Sequence, residues 1–159
     1  MKTKYTLLLL TLVTGQLLSM GCFGQSSGGG GRLTGSWDAI VSITNCSTGA
    51  IITTFPSTAA FSQGGTYVGI TGGASPAERT AEIGVWRHIG DNRYQFKFKT
   101  YHSPSGGPAT FFDIVTHEIT LDADNLTYTS AGTATRYNMA GVQIFSGCST
   151  SVGRRMTLD

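Results

Sequence analysis

Charge is scarce in this chain. Charged residues make up only 13% of its 159 residues, with 11 basic and 9 acidic side chains. Two of the basic residues, Lys2 and Lys4, lie in the N-terminal leader, so nine basic residues remain to match the nine acidic ones. Nucleic-acid-binding proteins concentrate lysine and arginine on one face, and a formally neutral chain lacks that stripe. The composition therefore predicts no nucleic-acid partner.

Residues that hold metals or carry out covalent catalysis are also few. The three cysteines form no Cys-x-x-Cys pair and the three histidines are scattered, which predicts no metal site and no cofactor. The sequence has no nucleophile elbow, phosphate-binding loop or pair of catalytic carboxylates. Asp113 and His117 share a strand face, but four residues of extended chain separate them by about 13 Å, too far for a direct hydrogen bond. An enzyme is therefore the less favoured class.

Long hydrophobic runs are absent as well. The apolar run over residues 7–18 follows two lysines and is too short to cross a bilayer as a helix. This arrangement is typical of a secretory signal peptide, and the small residues Ser19 and Gly21 fit cleavage just before Cys22. The segment after the cut is rich in glycine and serine, as a flexible spacer is. We expect three parts: a signal peptide over 1–21, a flexible linker over 22–31 and one folded domain over 32–159.

The residues before Cys22 resemble the lipobox of bacterial lipoproteins, in which a leucine and small residues precede a cysteine that receives diacylglycerol on its thiol. Leu18, Ser19 and Gly21 precede Cys22, with Leu18 one position further upstream than in the lipobox and Met20 in place of a small residue. The resemblance implies that Cys22 is lipidated and that the protein is exported to the cell envelope, on its periplasmic or outer-membrane face. The N-terminal lipid would then be its only contact with a membrane. The other interpretation is ordinary secretion, with cleavage at Gly21 or Gly24.

Helical periodicity is missing beyond residue 32, and apolar and polar residues alternate between turns rich in glycine, asparagine and aspartate. In the clearest strand, Tyr94, Phe96 and Phe98 share one face while polar residues occupy the other. The alternation predicts eight strands, at 34–45, 56–62, 66–71, 80–89, 93–102, 110–122, 126–138 and 142–157. Eight sequential antiparallel strands with one apolar face predict an all-β fold, either a single up-and-down barrel or a sandwich.

The start of the domain favours the barrel. Gly35-Ser36-Trp37 resembles the glycine, any residue, tryptophan motif on the first strand of lipocalin-like (calycin) barrels. In that superfamily an arginine near the C-terminus packs over the tryptophan. The resemblance implies a lipocalin-like eight-stranded barrel in which Arg154 or Arg155, with Arg155 preferred, closes over Trp37. The plainer interpretation is an ordinary core tryptophan and two solvated arginines.

The odd number of cysteines leaves Cys22 for other chemistry and predicts a disulfide between Cys46 and Cys148. If these two residues face each other across the first and last strands, Trp37 lies near residue 157 and Arg155 lies diagonally beside it. The bridge would then close the barrel where its two ends meet.

An eight-stranded barrel is just wide enough to be filled by side chains or to hold one small ligand. The inward faces combine aromatic residues with small ones, and either outcome is open. We expect a ligand site formed by an aromatic wall and one polar group, comprising Trp86, Tyr94, Phe96, Phe98 and His117. The first hypothesis is a monomeric, non-enzymatic protein that binds a small apolar molecule. The alternatives are a small barrel enzyme of the cyclase or isomerase type, and a filled barrel that acts through its surface as an inhibitor or interaction module.

Overall fold

Residues 30–158 are described by a computed structural model, and they form a closed barrel of eight antiparallel strands. Each strand pairs with the next along the chain, and the last pairs with the first. The strands are β1 (Gly35–Thr44), β2 (Ile51–Ser62), β3 (Thr66–Thr71), β4 (Glu82–Gly90), β5 (Arg93–His102), β6 (Phe111–Leu121), β7 (Thr127–Asn138) and β8 (Gln143–Arg155). The predicted all-β up-and-down barrel is confirmed, and it is consistent with a lipocalin-like fold.

Seven of the predicted strands begin and end within two residues of those observed. The second was predicted to begin at residue 56 but begins at Ile51. The extra segment pairs with β1 and extends past the end of β3, whose pairing with β2 starts at Ser57. Its side chains are largely exposed on both faces, so the alternation that marks a strand is absent there. Among residues 30–158 no helix has the length and apolarity needed to span a bilayer.

The two ends of the barrel differ in their connections. Tight turns join β2 to β3, β4 to β5 and β6 to β7 at the end where the N-terminal segment enters. The longest loops, 72–81 and 103–110, lie at the opposite end. At the tight end, the core is completely buried, with Leu33, Trp37, Tyr94, Ile119 and Leu121 each 0% exposed. This half of the barrel is therefore filled by side chains.

Arg155 seals the filled end. Its guanidinium carbon lies 4.3 Å from the centre of a Trp37 ring, close enough for a cation–π interaction. Its nitrogens donate hydrogen bonds to the backbone oxygens of Arg32, Thr34 and Asn125. Gly35 makes room for this arrangement: its φ is +134°, and a Cβ there would lie 2.7 Å from an Arg155 nitrogen. The first residue of the Gly-x-Trp motif thus has a steric reason to be glycine.

The expected register between β1 and β8 was wrong by two residues. Trp37 is directly opposite Arg155, and Cys148 is opposite Thr44. Cys46 lies in the turn after β1, so the cysteines meet diagonally across the ladder. Their Cα atoms are 5.2 Å apart and the sulfurs are bonded. The disulfide joins the turn after β1 to β8. Arg155 contacts Trp37 near the start of β1, so the first and last strands are held together near both ends of β1.

Candidate functional site

The barrel is hollow in the half that carries the longer loops. A cavity of about 100 Å³ lies there, bounded by strands on every side of the barrel. An apolar cavity of roughly 150 Å³ holds a benzene molecule, so one ring is the upper limit for this smaller space, and part of that ring would lie in the open mouth of the barrel. A larger molecule would have to extend through the mouth of the barrel.

One wall of the cavity is aromatic. The rings of Tyr67 and Phe98 stack with their centres 5.3 Å apart, and those of Phe96 and Phe98 stack at 6.1 Å. Tyr67 lies on β3 and the two phenylalanines lie on β5, where alternation directs them inward. The three rings are nearly fully buried. They offer a ligand an apolar surface on which an aromatic ring can pack in an offset-stacked or edge-to-face arrangement.

A buried carboxyl group lies beside this wall. Glu82, only 4% exposed, accepts a hydrogen bond of 2.8 Å from the Tyr67 hydroxyl and one of 2.7 Å from Arg79. Burial raises the pKa of Glu82, and the Arg79 charge counters this only in part. Burial and the neighbouring Glu82 carboxyl raise the pKa of Tyr67 well above its ordinary value. The ion pair is therefore held in a weakly solvated environment where leaving one partner alone would be costly.

The facing wall carries a chain of hydrogen-bonded side chains. His117 on β6 contacts Ser130 of β7 through Nδ1 at 2.9 Å and Ser149 of β8 through Nε2 at 2.7 Å. Ser130 in turn lies 2.7 Å from Ser151, oxygen to oxygen. Burial lowers the pKa of His117 to about 4, so the imidazole is neutral at neutral pH. Both ring nitrogens face hydroxyl groups, those of Ser130 and Ser149.

The chain continues to Tyr128. Burial raises the pKa of its hydroxyl to about 12, and the neighbouring Ser151 hydroxyl counters this in part. Tyr128 also interacts electrostatically with Glu82 and Tyr67, which brings the hydroxyl chain and the buried carboxyl to the same region of the cavity. Gly153 on the neighbouring strand leaves space for the Tyr128 ring, since a Cβ there would lie 2.2 Å from it. We call Ser149, His117, Ser130, Ser151 and Tyr128 the polar chain.

Charged and aromatic side chains meet near the mouth of the barrel. Asp113 lies 2.8 Å from Nε of Arg136 and 2.9 Å from Nε2 of His102. Burial alone would raise the pKa of Asp113, but these two neighbours outweigh it and lower the pKa to about 2. Phe111 packs against both, with the His102 ring stacked 4.6 Å away and the Arg136 guanidinium carbon 4.1 Å away. The carboxylate is thus ionised and already paired.

The structure brings three of the five predicted ligand residues to the cavity, namely Phe96, Phe98 and His117. Trp86 and Tyr94 do not line it. Tyr94 is completely buried in the filled half. The centre of its ring lies 5.9 Å from that of Trp86 and 5.0 Å from that of His88. The Trp86 indole donates its N–H to the Ser62 carbonyl. Both residues point inward as expected, but they lie too near the tight turns, where the barrel is filled.

The buried Glu82 was missed from the sequence. On β4 the apolar residues Ile83 and Val85 are exposed, whereas Glu82 and Trp86 point inward. A prediction that the apolar residues of a strand point inward therefore places the wrong face of β4 inside the barrel. The usable signal was the parity of Trp86: residues an even number apart on a strand share a face, so an inward Trp86 places Glu82 inside as well. Its partner Arg79 lies in a loop and has no such signal.

Within residues 30–158 no three histidine, cysteine or acidic side chains are placed to hold a metal ion. The whole sequence matches no protein-family model and no curated protein.

Proposed function

We propose that this protein is a non-enzymatic binding protein that holds a small, largely apolar molecule inside its barrel. The observation that carries the proposal is the cavity of about 100 Å³ between an aromatic wall and the polar chain. A concave, mostly apolar site with a few convergent polar groups is the usual form of a small-molecule site. The open space favours this function over a filled barrel that acts only through its surface.

The barrel's closure supports a relationship to the lipocalin-like (calycin) proteins. Trp37 on the first strand and the arginine packed over it from the last strand match the arrangement that the resemblance implied. Ligand binding in the open half of such a barrel is what that relationship would lead us to expect. Fold alone does not establish function, so the proposal depends on the cavity.

We also propose that the protein is exported and anchored through lipid on Cys22, which lies outside the described residues. The chain enters the barrel at the filled end, where Arg155 bonds to the backbone oxygens of Arg32 and Thr34. The cavity lies in the other half. A tether at Cys22 would therefore leave the mouth of the barrel directed away from the anchoring point and accessible to a diffusing ligand.

The main test is a binding titration with toluene, followed by NMR chemical shifts. We expect saturable binding by the wild-type protein and an affinity reduced by about tenfold or more in Ala134→Leu, because the larger side chain occupies the cavity. Ala131→Leu is the matched control, since Ala131 lies on the same strand with its side chain exposed. Toluene binding that is unchanged in a folded Ala134→Leu variant would place the site elsewhere. Absence of binding by the wild type to toluene and to other single-ring molecules would refute the proposal.

The second candidate is a small enzyme of the isomerase type, and one observation favours it. The buried Glu82 carboxyl, with its raised pKa, borders the cavity in the way that an acid or base does in many active sites. Its hydrogen bonds to Tyr67 and Arg79 leave it engaged rather than exposed to a ligand, which is why we prefer binding. Native mass spectrometry of protein purified from a bacterial host would identify a captured molecule. Conversion of that molecule by the wild type and not by Glu82→Gln would establish the enzyme instead.

A further inference from the structure

The charges around the cavity are already paired with one another. Arg79 neutralises Glu82, and Arg136 neutralises Asp113 at the mouth. An ion entering this space would lose its hydration without gaining a counter-charge, which is strongly unfavourable. The ligand that fits is therefore uncharged.

The polar chain limits the ligand further, because its members hydrogen-bond in series. A neutral imidazole donates from one nitrogen and accepts at the other, and a hydroxyl between two partners can donate to at most one of them. His117 therefore either donates to Ser149 and accepts from Ser130, or does the reverse. Switching the imidazole tautomer reverses both hydrogen bonds of the imidazole, and with them the role of Ser149.

Ser149 is the end of this chain, and it borders the cavity. When the His117 Nε2–H donates to it, the Ser149 hydroxyl can donate to a ligand. When Ser149 donates to Nε2, its oxygen can accept from a ligand instead. A ligand hydroxyl satisfies Ser149 in both states because it donates and accepts. A carbonyl group satisfies only the first state, and a methyl group satisfies neither.

We propose that the molecule held in the cavity is an uncharged single-ring compound with a hydroxyl group, of the phenol class, whose hydroxyl bonds to Ser149 while its ring packs on Phe96 and Phe98. The proposal rests on the proposed binding function and adds the chemical class of the ligand. The cavity volume sets an upper limit of about one ring, the aromatic wall favours an apolar body, and the hydroxyl of Ser149 favours a ligand hydroxyl.

The test compares phenol, toluene and benzoate on the full-length protein at neutral pH by isothermal titration calorimetry. Phenol and toluene have nearly the same shape, so the difference between their affinities reports the contribution of the hydroxyl group. We expect phenol to bind about tenfold more tightly than toluene, the value of one net hydrogen bond, and benzoate to bind more weakly than either. A simple apolar cavity would give the opposite order for the first pair, because phenol loses more hydration.

The variant Ser149→Ala should reduce phenol affinity to that of toluene and leave toluene affinity unchanged. Ser146→Ala, an exposed position on the same strand, is the control and should behave as wild type. If Ser149→Ala does not fold, the wild-type comparison of the three probes still decides the question. Toluene or benzoate binding as tightly as phenol would overturn the ligand class while leaving the binding function intact. Failure of all three probes would overturn both.

Discussion

His117 makes the stability of the barrel depend on pH in a direction that follows from its surroundings. The imidazole is only 4% exposed, and burial lowers its pKa from 6.5 to about 4. Between these two values the unfolded chain binds a proton that the native state does not bind. Native stability therefore rises with pH across this range and is lost as the pH falls from about 6.5 to 4.

The size of the effect follows from the same two values. A pKa difference of one between the native and unfolded states corresponds to about 1.4 kcal/mol. The titration of His117 should therefore lower the free energy of unfolding by about 3 kcal/mol between pH 7.5 and pH 4. Marginally stable domains have a total stability of roughly 5 to 15 kcal/mol. A loss of this size is therefore easily measured by urea unfolding followed through tryptophan fluorescence.

His117→Gln isolates the contribution of the imidazole. Glutamine keeps one donor and one acceptor for Ser130 and Ser149 but does not titrate. The quantity of interest is the difference in unfolding free energy between variant and wild type at each pH, because other titrating groups cancel in it. We expect this difference to change by about 3 kcal/mol between pH 7.5 and pH 4, in favour of the variant at acidic pH.

Glu82 supplies a control of opposite sign. Its native pKa is raised, so its contribution to stability is present below its unfolded pKa and is lost as the pH rises through the native value. The difference between Glu82→Gln and wild type should therefore move in the other direction with pH. A flat difference for His117→Gln across the acidic range would refute the argument that this imidazole is buried and neutral.

Two further predictions concern the cysteines. Replacing Cys46 and Cys148 together by serine should lower the unfolding free energy by about 4 to 5 kcal/mol, because the bridge closes a loop across a separation of 102 residues; urea unfolding measures this, and an unchanged midpoint would contradict it. Cys22→Ala should release the full-length protein from the membrane fraction of a bacterial host, as judged by fractionation and by loss of the lipid mass. If wild type and Cys22→Ala are equally soluble, the proposed anchor is wrong.

Much of the fold could be predicted because strand alternation is a local property. Residues two apart on a strand share a face, so the inward orientation of Tyr94, Phe96 and Phe98 followed from their spacing alone. Turn residues marked where each strand ended, and the short turns left a meander of neighbours as the simplest topology. The pairing of Cys46 with Cys148 followed from their number and from the role assigned to Cys22.

The depth of each inward side chain along the barrel was decided only by the tertiary structure. Trp86 and Phe98 both point inward, yet one packs in the filled half and the other borders the cavity. Spacing along a strand specifies which face a side chain occupies. It does not specify the height along the barrel axis at which the opposite strands leave a cavity. That level depends on the stagger of all eight strands and on the side chains that meet there.

The polar character of the cavity was likewise a tertiary result. The sequence predicted a single polar partner, whereas the structure joins His117 to serines on two other strands and joins Glu82 to a loop arginine. Each of these residues alone looks like an ordinary strand or loop residue. Closing the barrel excludes water from them, and buried polar groups must then find partners in one another. Barrel closure thus created the hydrogen-bonded chain, which the one-dimensional pattern does not contain.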